Sequence, residues 1–195
     1  DVLLLETALL GVIYLPWRLR PDWAREGPMA QVGRWLVWWL VFRLMFESGV
    51  VKLTWGDETW LQFRALQHHF ETQPLPLWTA WYMHHLPTAV LWLLTAVMFL
   101  IEIVAPFLIV CPRWWRRGAA FALLFLQAGI LLTGNYAFFN LLSIILCLPL
   151  LDDAIWPARM RRLLGDHGSA AAVPIHRVKW IAPALVGFVV FAATA

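Results

Sequence analysis

Between positions 87 and 111 the chain carries one charged side chain, Glu102, in an otherwise apolar run. A helix of about 20 residues crosses the roughly 30 Å hydrocarbon core of a bilayer. In lipid, every backbone polar group must find its partner within the protein, so only helices and closed barrels span. Barrel strands would alternate apolar and polar residues. Neither this run nor AAFALLFLQAGILLT at 119–133 alternates, so both predict helices. Six apolar runs can be marked, at 2–15, 35–53, 87–111, 119–133, 137–151 and 178–195. The first is short. The fourth and fifth are split by the turn TGNY, which predicts a tight hairpin or short helices leaning on neighbours. The expected fold class is all-α. It is a polytopic helical membrane protein with about six membrane helices, forming one membrane-embedded domain over 1–195.

The composition agrees: 62% of residues are apolar and 14% are charged. A soluble domain is nearer 45–50% and about 25%. That excludes a disordered chain and an ordinary soluble enzyme, which would expose large adhesive patches. The net charge is +3. The bases follow topology rather than a nucleic-acid surface, so no nucleic-acid partner is expected. Arg18, Arg20, Arg25 and Arg34 lie in 16–34, only Arg64 in 54–86, and Arg113, Arg116 and Arg117 in 112–118. None lies in 134–136, and Arg159, Arg161, Arg162 and Arg177 lie in 152–177. Many, few, many, none, many is the positive-inside alternation. It places the first, third and fifth connections in the cytoplasm and 54–86 and 134–136 on the opposite face. Cys111 and Cys147 read as small buried hydrophobes, not a disulfide framework. The first residue is Asp1 rather than Met, which suggests a piece of a longer protein.

The connection at 54–86 is long enough to have structure of its own. Asp57 or Thr59 can cap a helix. Trp60, Phe63, Leu66 or Gln67, and Phe70 then recur at helical spacing, which predicts an interfacial amphipathic helix. Pro74 and Pro76 end it. A second aromatic segment follows with Trp78, Trp81 and Tyr82. The fourteen Trp suit a membrane–water boundary, where the ring is buried and the N–H stays wet.

Charges inside the runs are candidate functional groups, because burying one in lipid costs about 2.5–3.5 kcal/mol. Arg43 and Glu47 stand four apart on one helical face and can pair. Lys52 reads either as an interfacial lysine reaching outward or as a desolvated amine able to act as a base. Glu102 reads as a protonated or hydrogen-bonded packing residue. Gln127, Asn135 and Asn140 read as interhelical hydrogen-bonding groups. His68–His69 and His84–His85 are adjacent pairs that point to different helix faces, so no metal site is expected.

Several strings carry a resemblance. LLLETALL (3–10), SGVVKLTWGDETW (48–60), HHFETQPLP (68–76), AWYMHHLP (80–87) and TGNYAFFNLLSIILCLPLLDD (133–153) resemble the lipase maturation factor family. They occur in family order. Ala137 departs from it, since the family typically has Asn there. The candidate functional face comprises Arg43 from the second run together with residues of these strings: Gly49, Gly56, Asp57, Trp60, His69, Glu71, Thr72, Gln73, Pro74, Gly134, Asn135, Tyr136, Phe138, Phe139 and Asn140. The resemblance implies a polytopic protein that helps secreted lipases fold and assemble. It also implies that a first membrane segment and a large C-terminal soluble region lie outside this chain. Animal members sit in the endoplasmic reticulum. The Arg-, Ala- and Trp-rich usage points instead to a bacterial inner membrane.

Two function classes follow. The first is a non-enzymatic maturation factor needing no cofactor. Its partners are the bilayer and a secreted lipase-like client, engaged by Trp55, Trp60, Phe63, Phe70, Trp78 and Trp81. The second rests on GVVKL, which looks like a segment of vitamin K-dependent gamma-carboxylases. That similarity implies a membrane enzyme acting on a reduced quinone, with Lys52 as general base and Glu47 or His69 assisting.

Overall fold

A computed structural model describes residues 2–14, 28–73, 75–134, 136, 138–151 and 155. The run at 178–195 and most of the connections at 16–34 and 152–177 lie outside the described residues, as do Pro74, Asn135 and Ala137. Among the described residues the chain is all-helical, with eight α-helices and no strand. The helices are α1 (Val2–Tyr14), α2 (Pro28–Thr54), α3 (Glu58–Leu61), α4 (Ala65–Thr72), α5 (Trp78–His84), α6 (Thr88–Phe99), α7 (Arg113–Thr133) and α8 (Phe138–Cys147).

Two helical stretches are long and apolar enough to cross a membrane. They are Thr88–Val110, which extends α6, and Arg113–Thr133, which is α7. The runs at 2–15 and 137–151 yield only the shorter apolar helices Val2–Tyr14 and Phe138–Leu150. The run at 35–53 becomes the end of the 27-residue α2, whose Arg34, Arg43, Glu47 and Lys52 set it apart from a purely apolar span. By length and composition, therefore, two of the expected six or so spans are present among the described residues.

The chain divides into two compact units, Asp1–Trp39 with Asp152–Ala195, and Leu40–Leu151. In the first, Gly33 allows a close backbone approach. A Cβ there would lie 2.7 Å from the Tyr14 Cα. Trp38 is buried and stacks edge-on against Trp35 at 4.8 Å.

The second unit holds the candidate site. Its core contains Leu40, Val41, Met45, Ile109, Leu123, Cys147 and Leu150. Phe42 and Phe46 clasp Phe107, with ring centroids 5.2 and 5.3 Å away. The span beginning with α6 changes helix type along its length. It is π-helical over Leu100–Val104 and 3-10 over Ala105–Val110. Pro106 supplies the reason. It has no N–H for the Glu102 carbonyl, and its ring crowds that turn. The ladder therefore changes register around Glu102.

The segment between α2 and α6 folds as short helices. Gly56 takes the left-handed conformation (φ 83°) that ends the α2 connection. Asp57 then caps α3, its Oδ1 accepting from the Thr59 N–H at 2.9 Å. α3 ends on Phe63 at φ 56°, a position that favours glycine. Packing holds it there. The Phe63 ring sits 5.2 Å from Trp92 and 5.8 Å from Phe99. Phe70, Ala80 and Leu91 then form a small core that ties α4 and α5 to α6. The expected amphipathic helix is thus two short ones, α3 and α4, because Phe63 interrupts it, and the second aromatic segment forms α5.

Candidate functional site

Lys52, in the last turn of α2, donates to both carboxylate oxygens of Glu102 at 2.6 Å. It also donates to Ser48 Oγ at 3.0 Å, and Ser48 donates to Glu102 at 3.3 Å. Glu102 is 3% exposed. Gly49 brings the two helices close enough for this contact. A Cβ at Gly49 would lie 2.8 Å from Ile103 Cγ1 and 3.2 Å from Glu102 Cβ. The Trp60 ring covers the other side of the amine, with its centroid 5.5 Å from Nζ.

A second group of contacts joins α4 and α5 to the turn after α7. Gln73 donates from Nε2 to the Thr133 carbonyl at 2.7 Å. Thr79 donates to the Leu132 carbonyl. An isolated backbone bridge pairs Pro76 with Gly134. Tyr136 and His69 share a hydrogen bond at 3.1 Å. Burial, with a smaller contribution from the Lys52 charge, holds His69 below its ordinary value. Burial holds the Tyr136 phenol above its own. Both groups are therefore neutral near pH 7, and one hydrogen bond joins the phenol to a neutral imidazole.

The depressed His69 value has a pH consequence. The unfolded chain binds a proton near pH 6.5 that the folded protein resists. The stabilisation is complete above that pH and is lost as pH falls below it. Melting temperature should drop between about pH 7 and about pH 5, and less so in His69→Gln, which cannot titrate. Parallel profiles for the two proteins would show that the contact carries no linkage.

Deeper in the unit, Asn140 donates to Gln127 Oε1 at 3.1 Å, and Gln127 Nε2 lies 3.6 Å from the Met45 sulfur. Asn140 is 1% exposed. These contacts bear out the reading of Gln127 and Asn140 as interhelical hydrogen-bonding groups.

Arg43 and Glu47 pair as their spacing predicts, Nε and Oε1 standing 4.0 Å apart, with Glu47 largely exposed. No hydrogen bond or ion pair links Glu47 to Lys52 among the described residues. Lys52 is neither a free interfacial lysine nor an isolated amine, since Glu102 clasps it. Glu71 pairs with His84 Nε2 at 3.0 Å, and Thr72 donates to the His68 carbonyl. Phe138 and Phe139 open α8 exposed. No group of three or more metal-binding side chains occurs among the described residues.

Two of the strings singled out in the sequence thus meet in space: HHFETQPLP supplies His69 and Gln73, and TGNY supplies Thr133 and Tyr136. The family model described as the lipase maturation factor transmembrane domain matches residues 1–158. The chain belongs to the lipase maturation factor family. It is 47% identical to lipase maturation factor 2 of Mus musculus over 161 residues, 78% of this chain and 23% of that protein. The Gallus gallus lipase maturation factor 2 is 44% identical over 177 residues, 89% of this chain and 25% of that protein. Lipase maturation factor 1 of Mus musculus is 32% identical over 151 residues, 77% of this chain and 26% of that protein. The chain therefore spans about a quarter of the length of these relatives. No solved structure matches it.

Within this lipase maturation factor domain, Gly134 is the most crowded point of the junction. A Cβ there would lie 2.9 Å from Tyr136 Cε2 and 3.3 Å from Gln73 Cδ, and would meet Gln73 Oε1. Gly134→Ala should push Gln73 off the Thr133 carbonyl and cost about 1–3 kcal/mol, read as a lower melting temperature. An unchanged melting temperature would mean that the side chain moves aside freely.

Sequence reasoning did not pair Glu102 and Ser48 with Lys52. The signal was present: Glu102 is the only charge in its run, and a buried charge requires a partner.

Proposed function

We propose that this chain is the membrane-embedded part of a maturation factor that assists the folding or assembly of secreted lipase-like proteins. The observation that supports the reading is the family match over residues 1–158, whose most specific strings lie together at one junction. On this reading the role is chaperone-like and not catalytic. The domain has about six membrane helices, counting the runs outside the described residues. It lies in a bacterial inner membrane, or in the endoplasmic reticulum membrane if the source is eukaryotic. Its segments 54–86 and 134–136 face away from the cytoplasm. A reporter inserted at Gly165 should read cytoplasmic and one at Gly56 should not; the reverse would overturn the topology.

The enzymatic alternative makes Lys52 a base toward a reduced quinone. The geometry argues for a different role. Both Glu102 oxygens, 2.6 Å away, already engage the Lys52 amine, whereas a base must be free to meet its substrate.

The maturation reading is tested by removing the full-length gene and measuring secreted lipase activity per unit of lipase mass. That ratio should fall and should recover when the full-length gene is restored. An unchanged ratio for every secreted lipase would reject the reading.

A further inference from the structure

The contact between Lys52 and Glu102 lies deep within a span. Thr88–Val110 is 23 residues long, about 30–35 Å as a helix, which matches the hydrocarbon core. Glu102 stands about 20 Å along that helix from its start, so the last turn of α2 ends at the same depth. From there the chain must return to Thr88, and its contacts record the return. Trp60 and Phe63 pack on Phe99, about 17 Å along, with ring centroids 6.0 and 5.8 Å away. Phe70 and Ala80 pack on Leu91, about 5 Å along. Residues 54–64 therefore lie beside the deeper part of the span and not beyond its end.

The exposed surface of the span and that of the chain beside it differ in chemistry. Val90, Leu93, Leu100, Val104, Phe107 and Val110 are exposed along the span, an apolar surface fit for lipid from one end to the other. Next to it, at the level of Phe99, the exposed residues include Thr54, Asp57, Glu58, Gln62 and Arg64. An ionised side chain facing hydrocarbon is strongly disfavoured. The backbone makes the same demand. α3 is a single turn, too short to pair the N–H and C=O groups at its own ends. At membrane depth such backbone is tolerated only inside protein or along a water-filled cavity. Asp57, Glu58 and Gln62 are exposed and so are not inside this protein, which leaves water. Leu53, Trp55 and Leu61 are exposed in the same stretch, and apolar side chains are ordinary on a wet surface.

We propose that residues 54–64 line a water-filled indentation that opens on the face where Thr88–Val110 begins and ends on the Lys52 ammonium. The burial of the ion pair fits this direction of access. The Lys52 side chain is 21% exposed and that of Glu102 only 4%, so water meets the amine and the carboxylate behind it is closed off. Ser48, half-buried and bonded to both groups, stands at the floor. The hydrocarbon layer is thereby thinned on one side of the span. A partner that approaches Asp57, Glu58 or Arg64 from solution meets them below the level of the headgroups. This inference depends neither on the maturation reading nor on which face is cytoplasmic.

The test uses the full-length protein in phospholipid nanodiscs, free of other reactive cysteines. Single cysteines are introduced through Glu58→Cys and Gln62→Cys on the lining, Ser48→Cys at the floor, and Leu100→Cys on the apolar surface at the same depth. Each is treated with a methanethiosulfonate carrying a quaternary ammonium, which reacts in water and does not enter lipid. Positions 58 and 62 should react many-fold faster than position 100, and position 48 should also react faster than position 100. Reaction at 58 and 62 as slow as at 100 would mean that lipid or another part of the protein covers the segment. Fast reaction at all four positions would mean that this level lies outside the bilayer. Reaction at 48 as slow as at 100 would mean that the opening stops short of Lys52. Each of these three results would overturn the proposal. Ser48→Cys only exchanges oxygen for sulfur, and either lining variant suffices if the other fails to fold.

Discussion

Lys52→Met will destabilise the protein by about 3–5 kcal/mol, and the double variant Lys52→Met/Glu102→Met will recover most of that loss. The single change leaves the Glu102 carboxylate, 3% exposed, without the cation that meets both its oxygens at 2.6 Å. Ser48 alone cannot replace it, offering one hydroxyl at 3.3 Å. In the double variant two flexible apolar side chains fill a similar volume and no charge remains to be solvated. Denaturant unfolding of the full-length protein in detergent would measure both. A single variant as stable as the parent would show that the pair is solvated and weak. The double variant also separates structure from function. If it folds and still supports lipase activity, the pair is a packing device. If it folds and lipase activity per unit mass falls, the two groups act in the function itself.

The second large effect is expected at Gly49. Gly49→Leu must push α2 away from the π-helical turn, because even a Cβ would stand 2.8 Å from Ile103 Cγ1 and 3.6 Å from the Glu102 carbonyl carbon. Overpacking of this kind costs about 1–3 kcal/mol. Weakening of the Lys52–Glu102 contact adds to it, so the melting temperature should fall more than for a surface change. Gly129 in α7 is the internal control. A Cβ there meets nothing within 4 Å. Gly129→Ala should therefore stabilise by about 0.5–1 kcal/mol through helix propensity. Equal responses at the two glycines would show that close approach at Gly49 is not required.

Much of the helical architecture could be read in advance because it is a local property. The run at 87–111 and the run at 119–133 became the two spans since apolar length alone decides whether a helix can cross. Asp57 is the α3 cap for a similarly local reason, its side chain reaching a backbone N–H two residues on. The interfacial helix was legible as a tendency but not in its breaks. Nothing local marks Phe63 for a left-handed turn; the rings of Trp92 and Phe99, about thirty positions later in the chain, hold it there. The candidate site was legible as residue types and not as partners. Arg43 and Glu47 were paired because helical spacing makes neighbours at four residues. The tighter pair, Lys52 with Glu102, is separated by fifty positions, and no periodicity reports it.

The apolar runs and the resemblance of their flanking strings determined, from sequence alone, an all-helical chain and its family. Both are properties of the chain read one segment at a time. Only the tertiary structure decided which charge meets which, that Gly49 is a contact point, and that 55–86 lies along a span and not beyond its end. The physical reason is the same in each case. Burial makes a charge, a glycine or an aromatic ring depend on whatever stands opposite, and the opposite partner comes from a distant part of the chain.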